Sequence, residues 1–397
     1  MKRVIVFGCG LIGFFIVKDI VKNWEIDEIS VVDEFEDNLR KLSDLEKQIK
    51  ADKINVKIST VRKNIVKDRE FLVETARGSL AGIGALPHSV SKYAMDICID
   101  ARVNFVDLVY DEHLSNYNEI DERARKSGIA VIPAMGVAPG LSNLMVAEGV
   151  EKFDNVDSAK IYVGGVPENR IPPLDYKTVF SATSVVNEYI RDARIRRGGK
   201  TIRVPALSEV EPVSFFSYDK GEFEAFLTDG LSTLLESYPD VPNMEEKTVR
   251  WKSHTEKLLL LRDLGLLSHE RIKLAENGVE IAPSSVLAVL FREKLKFTEQ
   301  DRDITLMKVE VVGTKDGKKF RYIQEIVDRY DEPSHMTSMA RTTGFTCSVV
   351  AEILARKMFS GIGFFAPEKA IKGEYYDTLM EGLGRRGIFI NEAMVRI

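Results

Sequence analysis

Apolar positions in the first third of the chain come in short unbroken runs separated by longer stretches that mix apolar and charged residues. Val4 to Phe7 is such a run, suited to a parallel strand buried on both faces. Ile29–Val32, Val56–Ser59, Leu80–Ala85, Asn104–Leu108 and Ile129–Ile132 follow at regular intervals. The intervening segments, Phe14–Val21 and roughly 36–50, 66–76, 88–101 and 113–127, read as helices. Five or six such β-α units predict a doubly wound parallel sheet, the α/β class. In such sheets ligands gather where strands end, which makes 85–88, 107–110 and 133–140 site-facing.

The rhythm then changes. Pro139-Gly140-Leu141-Ser142-Asn143 opens a helix, and from about 157 to 330 strands dominate, with longer loops. Lys160–Val163 alternates, and Tyr176–Phe180 reads as a strand. Gly198-Gly199 and Lys315-Asp316-Gly317 each join two strand-like runs into a hairpin. Two long helices, about 337–359 and 367–385, come last and lack a sheet of their own. The expected organisation is a nucleotide-type domain over 1–138, an inserted mixed α+β domain over 139–335, and a segment 336–397 returning to the first domain. A bound cofactor would lie in the cleft, with Gly136 to Gly140 at the crossing as a hinge.

Composition adds mostly exclusions. With 397 residues the chain can bury a large core without disulfides or a structural metal. Lys and Arg number 56 against 61 Asp and Glu, a net charge of -5, so no basic field is available for nucleic acid. Three distant cysteines, Cys9, Cys98 and Cys347, argue for a reducing, cytoplasmic setting. His88, His113, His254, His269 and His335 lack metal-ligand spacing, so no metal is expected. Lys2-Arg3 before the uncharged run Val4–Val17 resembles a secretory leader, but Lys18 and Asp19 follow at once with no cleavage pattern, which favours strand, turn and helix. The run is also too short to span a bilayer.

The turn after the first strand is Gly8-Cys9-Gly10-Leu11-Ile12-Gly13, a G-x-G-x-x-G between a strand and an apolar helix. Gly8 suits the tight turn, Gly10 the close approach of a pyrophosphate, and Gly13 the packing of helix on strand. Asp33 ends the second strand, where a carboxylate accepts from the adenosine ribose hydroxyls and repels a 2′-phosphate. The cofactor expected is therefore NAD, held in a Rossmann-type domain. Ala85, Leu86 and Pro87, Asp107 and Leu108, and Gly136 and Pro139 join the cofactor-facing set by their places at strand ends. Arg40 and Lys41 read as too distant to serve a 2′-phosphate.

The fingerprint, Gly84-Ala85-Leu86-Pro87, Met135 to Asn143, Gly164-Gly165-Val166-Pro167, Thr228-Asp229-Gly230-Leu231, Arg250-Trp251 with His254, and Arg341 to Phe345 together resemble the saccharopine dehydrogenase family over nearly the whole chain. Within it they look most like the NAD-dependent lysine 6-dehydrogenases. The resemblance implies a Rossmann domain with an inserted catalytic domain, oxidation of the ε-amine carbon of L-lysine to a semialdehyde that cyclises to piperideine carboxylate, and a homodimer. Glutamate-forming members tend to carry D-P-G-I-D-H where this chain reads Ala138-Pro139-Gly140-Leu141-Ser142-Asn143, without either acid. Lys252-Ser253 also departs from the R-W-P-G-H of the lysine enzymes.

Amine oxidation needs a neutral amine and a proton acceptor near neutral pKa. His254 is the first candidate, with Asp229 or Asp107 to hold the amine and Arg250 or Arg341 to clamp the α-carboxylate. Lys177 alternates with Tyr176 and could face a pocket. Each has a plain structural alternative: helix caps for His254 and Asp229, a turn for Asp107, an outward side chain for Lys177. The partner expected is a small amino acid, with neither nucleic acid nor membrane. A saccharopine reductase, a carboxynorspermidine-type imine reductase, and a non-catalytic NAD sensor remain the alternatives.

Overall fold

β1 (Arg3–Phe7) is buried from Val4 onward and runs into α1 (Leu11–Asn23). β2 (Glu28–Asp33) follows, then α2 (Glu36–Arg40), α3 (Leu42–Ala51), β3 (Lys57–Arg62), α4 (Arg69–Ala76) and β4 (Gly82–Gly84). After these come α5 (His88–Ala101), β5 (Phe105–Asp107), α6 (Tyr117–Ser127), β6 (Ala130–Ile132) and α7 (Leu141–Val150). The computed structural model describes residues 1–110, 117–178, 182–274 and 278–397. His113 and the first residues expected in α6 lie outside them. The helix read over 36–50 is interrupted for one residue at Lys41, next to which the Ser43 hydroxyl donates to the Arg40 carbonyl at 2.7 Å.

Two units emerge: Met1–Leu144 with Ala340–Ile388, and Met145–Met339 with Phe389–Ile397. In the first, the strand order is β3-β2-β1-β4-β5-β6, all parallel, which is a doubly wound sheet as the pattern predicts. One face of the sheet is packed by α4, α5 and α6 through Leu72, Ala94, Ile97, Cys98 and Ile120. A Cβ on Gly82 would stand 2.5 Å from the Cys98 sulfur, so β4 admits α5 only because it lacks a side chain there.

The second unit starts with a long strand, β7 (Asn155–Pro167). α8 (Ala182–Glu188), the hairpin β8 (Ala193–Arg197) and β9 (Lys200–Val204), β10 (Glu211–Phe215), β11 (Tyr218–Leu227), α9 (Leu234–Ser237) and β12 (Met244–Trp251) follow. Then come α10 (His254–Asp263), β13 (Ile272–Lys273), β14 (Glu280–Ile281), α11 (Pro283–Lys294), β15 (Asp303–Lys315) and β16 (Lys318–Arg329). Both hairpins turn on left-handed residues, Gly198 and Gly199 in one, Asp316 and Gly317 in the other. The expected strand over Tyr176–Phe180 is not formed at Tyr176. Thr178 alone makes a bridge, to Lys296, and Phe180 lies outside the described residues.

The remaining elements are α12 (Ser338–Ala355), β17 (Gly363–Phe364), α13 (Pro367–Ala370), α14 (Glu374–Arg385) and β18 (Asn391–Arg396). β17 extends the first sheet beside β6. The main path of the second sheet is β10-β11-β12-β7-β15-β16-β18, mixed in direction, with β8 and β9 attached at β12. The sequence reading assigned the whole of 336–397 to returning helices. Asn391–Arg396 instead forms an edge strand on β16, and its exposed Met394 and Val395 explain why no buried-strand pattern marks it.

Candidate active site

In the first unit the glycine turn is fixed by contact. A Cβ on Gly8 would meet the Ala85 carbonyl oxygen at 2.3 Å, and one on Gly13 would meet the Gly8 carbonyl oxygen at 2.1 Å. A Cβ on Gly10 would meet nothing within 4 Å. Two glycines therefore lock the turn against β4, and the middle one leaves room over the start of α1. The first N–H groups of that helix have no intrahelical acceptor, an arrangement able to cradle a pyrophosphate. Cys9, Leu11 and Ile12 complete the turn; burial pushes the Cys9 thiol up to about 12, so it takes no part as a thiolate.

Asp33 stands beside the cradle, 7% exposed. Its Oδ2 accepts from the Cys9 N–H at 2.8 Å and from Asn38 at 3.1 Å, and its Oδ1 accepts from the Phe35 N–H at 2.8 Å. Lys41 lies nearer than the sequence suggested. Its ammonium donates to Asn38 Oδ1 at 3.2 Å, and its charge acts on the Cys9 thiol. Arg40 is engaged elsewhere, with Glu36 at 2.7 Å.

The other strand ends gather at the same edge. The Ala85 N–H donates to Phe7, Leu108 to Gly84, and Met135 to the Asp107 carbonyl at 2.8 Å. Leu86 packs on Gly8, and α5 begins directly after Pro87. Gly136 donates to the Pro139 carbonyl at 3.1 Å, closing a turn that Gly140, at φ +127°, makes possible. Ser142 and Asn143 are fully buried, and Asn143 Oδ1 accepts from the Gly140 N–H while its amide reaches Glu368 at 3.3 Å. These two residues hold the turn itself. Asp107 ends β5 with its carboxyl buried; the Ser91 hydroxyl donates to Oδ2 and the Val109 N–H to Oδ1 at 3.1 Å. Burial raises it to about 6, against the pull of those hydrogen bonds. Arg341, also in this unit, is 8% exposed and donates to the Arg386 carbonyl at 3.0 Å.

The second unit holds a buried polar cluster. Alternation along β12 puts Glu246, Thr248 and Arg250 on one face. Arg250 donates to Glu188 at 2.9 Å, lies 4.6 Å from the Tyr176 ring centroid, and contacts the Tyr189 hydroxyl at 3.4 Å. The Tyr189 hydroxyl also meets His254 Nε2 at 3.0 Å, and His254 Nδ1 lies 2.8 Å from the Leu174 carbonyl, to which it donates. Thr228 donates to Glu246 at 2.6 Å and shares a hydrogen with Thr248 at 2.9 Å. Burial raises the Glu246 carboxyl to about 8, helped by the charges of Glu188 and Asp229.

Three residues read as candidates have other work here. His254 is wholly buried, and burial followed by the charge of Arg250 depresses it to about 3. It is neutral at neutral pH and both ring nitrogens are occupied, so the proton-acceptor role read from sequence gives way to a buried structural one. Asp229 accepts from the Arg194 backbone N–H at 3.1 Å and its guanidinium at 3.0 Å, which fixes the start of β8. Lys177 points away from the cluster, donating to the Lys296 carbonyl at 3.2 Å with Asp301 at 3.6 Å. Sequence reasoning missed Glu188, Tyr189 and Glu246. The signal was there for Glu246: a carboxyl two and four residues before Thr248 and Arg250 on a central strand.

Residues 4–132 match the family model described as the saccharopine dehydrogenase NADP binding domain, and residues 136–388 the saccharopine dehydrogenase C-terminal domain. The chain belongs to the saccharopine dehydrogenase family. Among curated relatives, the mitochondrial alpha-aminoadipic semialdehyde synthase of Rattus norvegicus is 25% identical over 98% of this chain and 47% of its own length. The chain thus spans about half of that relative. The saccharopine dehydrogenase [NADP(+), L-glutamate-forming] of Schizosaccharomyces pombe is 22% identical over 70% of this chain and 76% of its own. Among solved structures, apo saccharopine dehydrogenase (L-Glu forming) from Saccharomyces cerevisiae aligns with a TM-score of 0.81 at 18% identity, covering 100% of both chains. Homospermidine synthase from Legionella pneumophila, in complex with NAD, aligns at 0.64 and 12% identity, over 100% of this chain and 91% of that one. Both establish the fold. Among the described residues no helix is long and apolar enough to cross a membrane, and no group of His, Cys, Asp and Glu could hold a metal ion.

Proposed function

We propose that this family member is an NAD-dependent oxidoreductase acting at the carbon–nitrogen bond of an amino acid, and that its substrate is L-lysine, oxidised at the ε-carbon. The observation that carries the cofactor choice is Asp33, a buried carboxylate fixed beside the open Gly10. A ribose diol can donate to it, whereas a 2′-phosphate there meets a like charge. NAD, when bound, accepts the hydride. The chain's own residues hold the pyrophosphate at Gly8 to Gly13, orient the ribose at Asp33, and supply Asp107 as proton acceptor. At about 6 the Asp107 carboxyl is mostly ionised at neutral pH, so it can take a proton from the substrate ammonium.

The choice of substrate is supported by the closing turn of the first unit. Ala138 and Ser142 stand where glutamate-forming members tend to carry acids, and Ser142 and Asn143 are consumed in holding that turn. A second reading, saccharopine as substrate with NADP, is favoured by the names of the curated relatives. The discriminating experiment follows absorbance of the reduced nucleotide with lysine and with saccharopine, each with NAD and NADP. Reduction of NAD by lysine supports the first reading. Reduction of NADP by saccharopine, with lysine inert, would replace it by the second.

A further inference from the structure

A groove of about 560 Å³ runs between α8 and α11 in the second unit, and neither the nucleotide cradle nor the proposed reaction uses it. Its chemistry is graded along its length. One face of α11 presents Ser285, Ala288, Val289 and Arg292, and Lys296 follows just beyond the helix. These positions recur at helical spacing and so share a side. From Ser284 to Arg292 the helix rises roughly 12 Å.

The end near Lys296 is cationic. Among the described residues no aspartate or glutamate lines the groove, and Arg292 and Lys296 make no ion pair. The Thr178 hydroxyl in the same wall is buried and has no hydrogen-bond partner among them. The middle is apolar, with Val186 buried on one wall and Val289 44% exposed on the other. The far end is uncharged but rich in hydrogen-bonding groups: Ser284 is buried and shares a hydrogen with His269 Nδ1 at 2.9 Å, with Ser285 beside it.

We propose that this groove binds a short linear carboxylate that carries a hydroxyl or similar polar group at its far end. A planar carboxylate matches the guanidinium fork of Arg292 and takes the second cation from Lys296. The carbon chain covers Val186 and Val289, and the far-end hydroxyl joins the Ser284–His269 pair. No covalent step is involved.

Calorimetric titration of the full chain with 5-hydroxypentanoate tests this, with pentanoate and inorganic phosphate as comparators. Saturable binding is expected for 5-hydroxypentanoate, weaker for pentanoate and weaker still for phosphate. The double variant Arg292→Ala with Lys296→Ala should lose at least about tenfold in affinity, equivalent to about 1.4 kcal/mol. Both side chains are exposed, so the variant's melting temperature should match the parent's, which keeps a loss of binding interpretable. Absence of saturable binding, undiminished affinity in the double variant, or phosphate binding as tightly as the carboxylate would each overturn the proposal. None of these outcomes bears on nucleotide binding.

Discussion

Asp33 holds its own loop, and on the proposed NAD reading it must also read a ribose with the same two oxygens. Cys9, Phe35 and Asn38 take three of its acceptor positions, which leaves roughly one for a ligand hydroxyl. Fixed this way, the carboxylate loses little freedom on binding, and its charge remains where a 2′-phosphate would fall. Replacing Asp33 by Ser should therefore narrow the preference for NAD over NADP by about tenfold, an effect of the order of one charge-assisted hydrogen bond. Quenching titrations with NADH and NADPH measure it; tighter binding of NADPH by the unmodified protein would remove the basis of the NAD reading. On the proposed NAD reading, Phe35, two residues on and 63% exposed with its N–H held by Asp33, is the aromatic available to stack on the adenine. Phe35→Ala should weaken both NAD and AMP by about three- to tenfold, the worth of one aromatic contact, and leave nicotinamide mononucleotide unaffected. Asp107 makes a different prediction. Asp107→Asn should cut kcat by about 10²-fold or more with little change in nucleotide affinity, and should erase the acidic limb of the rate profile near pH 6. His254→Asn should leave that limb in place, since His254 is neutral throughout the range.

At the level of elements, periodicity was informative wherever a strand was buried on both faces or a helix had one apolar side. β1, β2, α5 and the two glycine hairpins fall close to their expected bounds for this reason. It failed where tertiary contacts decide. β18 is exposed along most of its length and owes its existence to pairing with β16. The Arg250 cluster was half legible: Arg250 and His254 stood out as residue types, but their partners Glu188 and Tyr189 lie about sixty positions away and carry no local signal. The joint between α1 and α14 was wholly hidden. Asp19 looked only like the charge that ends an apolar run. In the fold its Oδ1 accepts from Arg386 Nε at 2.7 Å and its Oδ2 from Arg386 Nη2 at 2.8 Å, with Ser348 donating at 2.6 Å. Both side chains are nearly sealed, at 1% and 3% exposure. Asp19→Ala should destabilise the protein by about 3 kcal/mol in urea unfolding, because it removes both carboxylate acceptors from a buried guanidinium and leaves it only the more distant Glu352 at 3.7 Å as counter-charge. Pairing Asp19→Leu with Arg386→Met should recover much of that loss; if the double replacement is as unstable as the single one, α14 is held by something other than this pair.

For the molecule as a whole, the buried ionisable groups set how stability varies with pH. Asp107 and Asp303 are raised to about 6, Glu246 to about 8, and His254 is lowered to about 3. Burial is the leading cause in all four, which is the common consequence of folding polar groups inside two tightly packed units. A carboxyl with a raised folded pKa favours the native state fully below its unfolded value, and that contribution is lost as pH climbs through the folded value. A depressed histidine does the reverse, losing its contribution as pH falls from about 6.5 toward about 3. Below pH 6 the carboxyls and the histidine oppose one another. Between about 6.5 and 8 the histidine is neutral in the fold and losing its last protons in the unfolded chain, and the two aspartates are largely ionised in both, so Glu246 is the group of the four that changes most. Its native form keeps a proton that the unfolded chain has released, and unfolding becomes easier by at most about 1.4 kcal/mol for each pH unit. Denaturant midpoints measured from pH 6.5 to 8 should therefore fall as pH rises. Glu246→Gln keeps an acceptor for Thr228 and cannot ionise, so its midpoints should stay level across the same range. A variant curve parallel to that of the unmodified protein would show that Glu246 enters the native state already ionised, with Arg250 as its counter-charge.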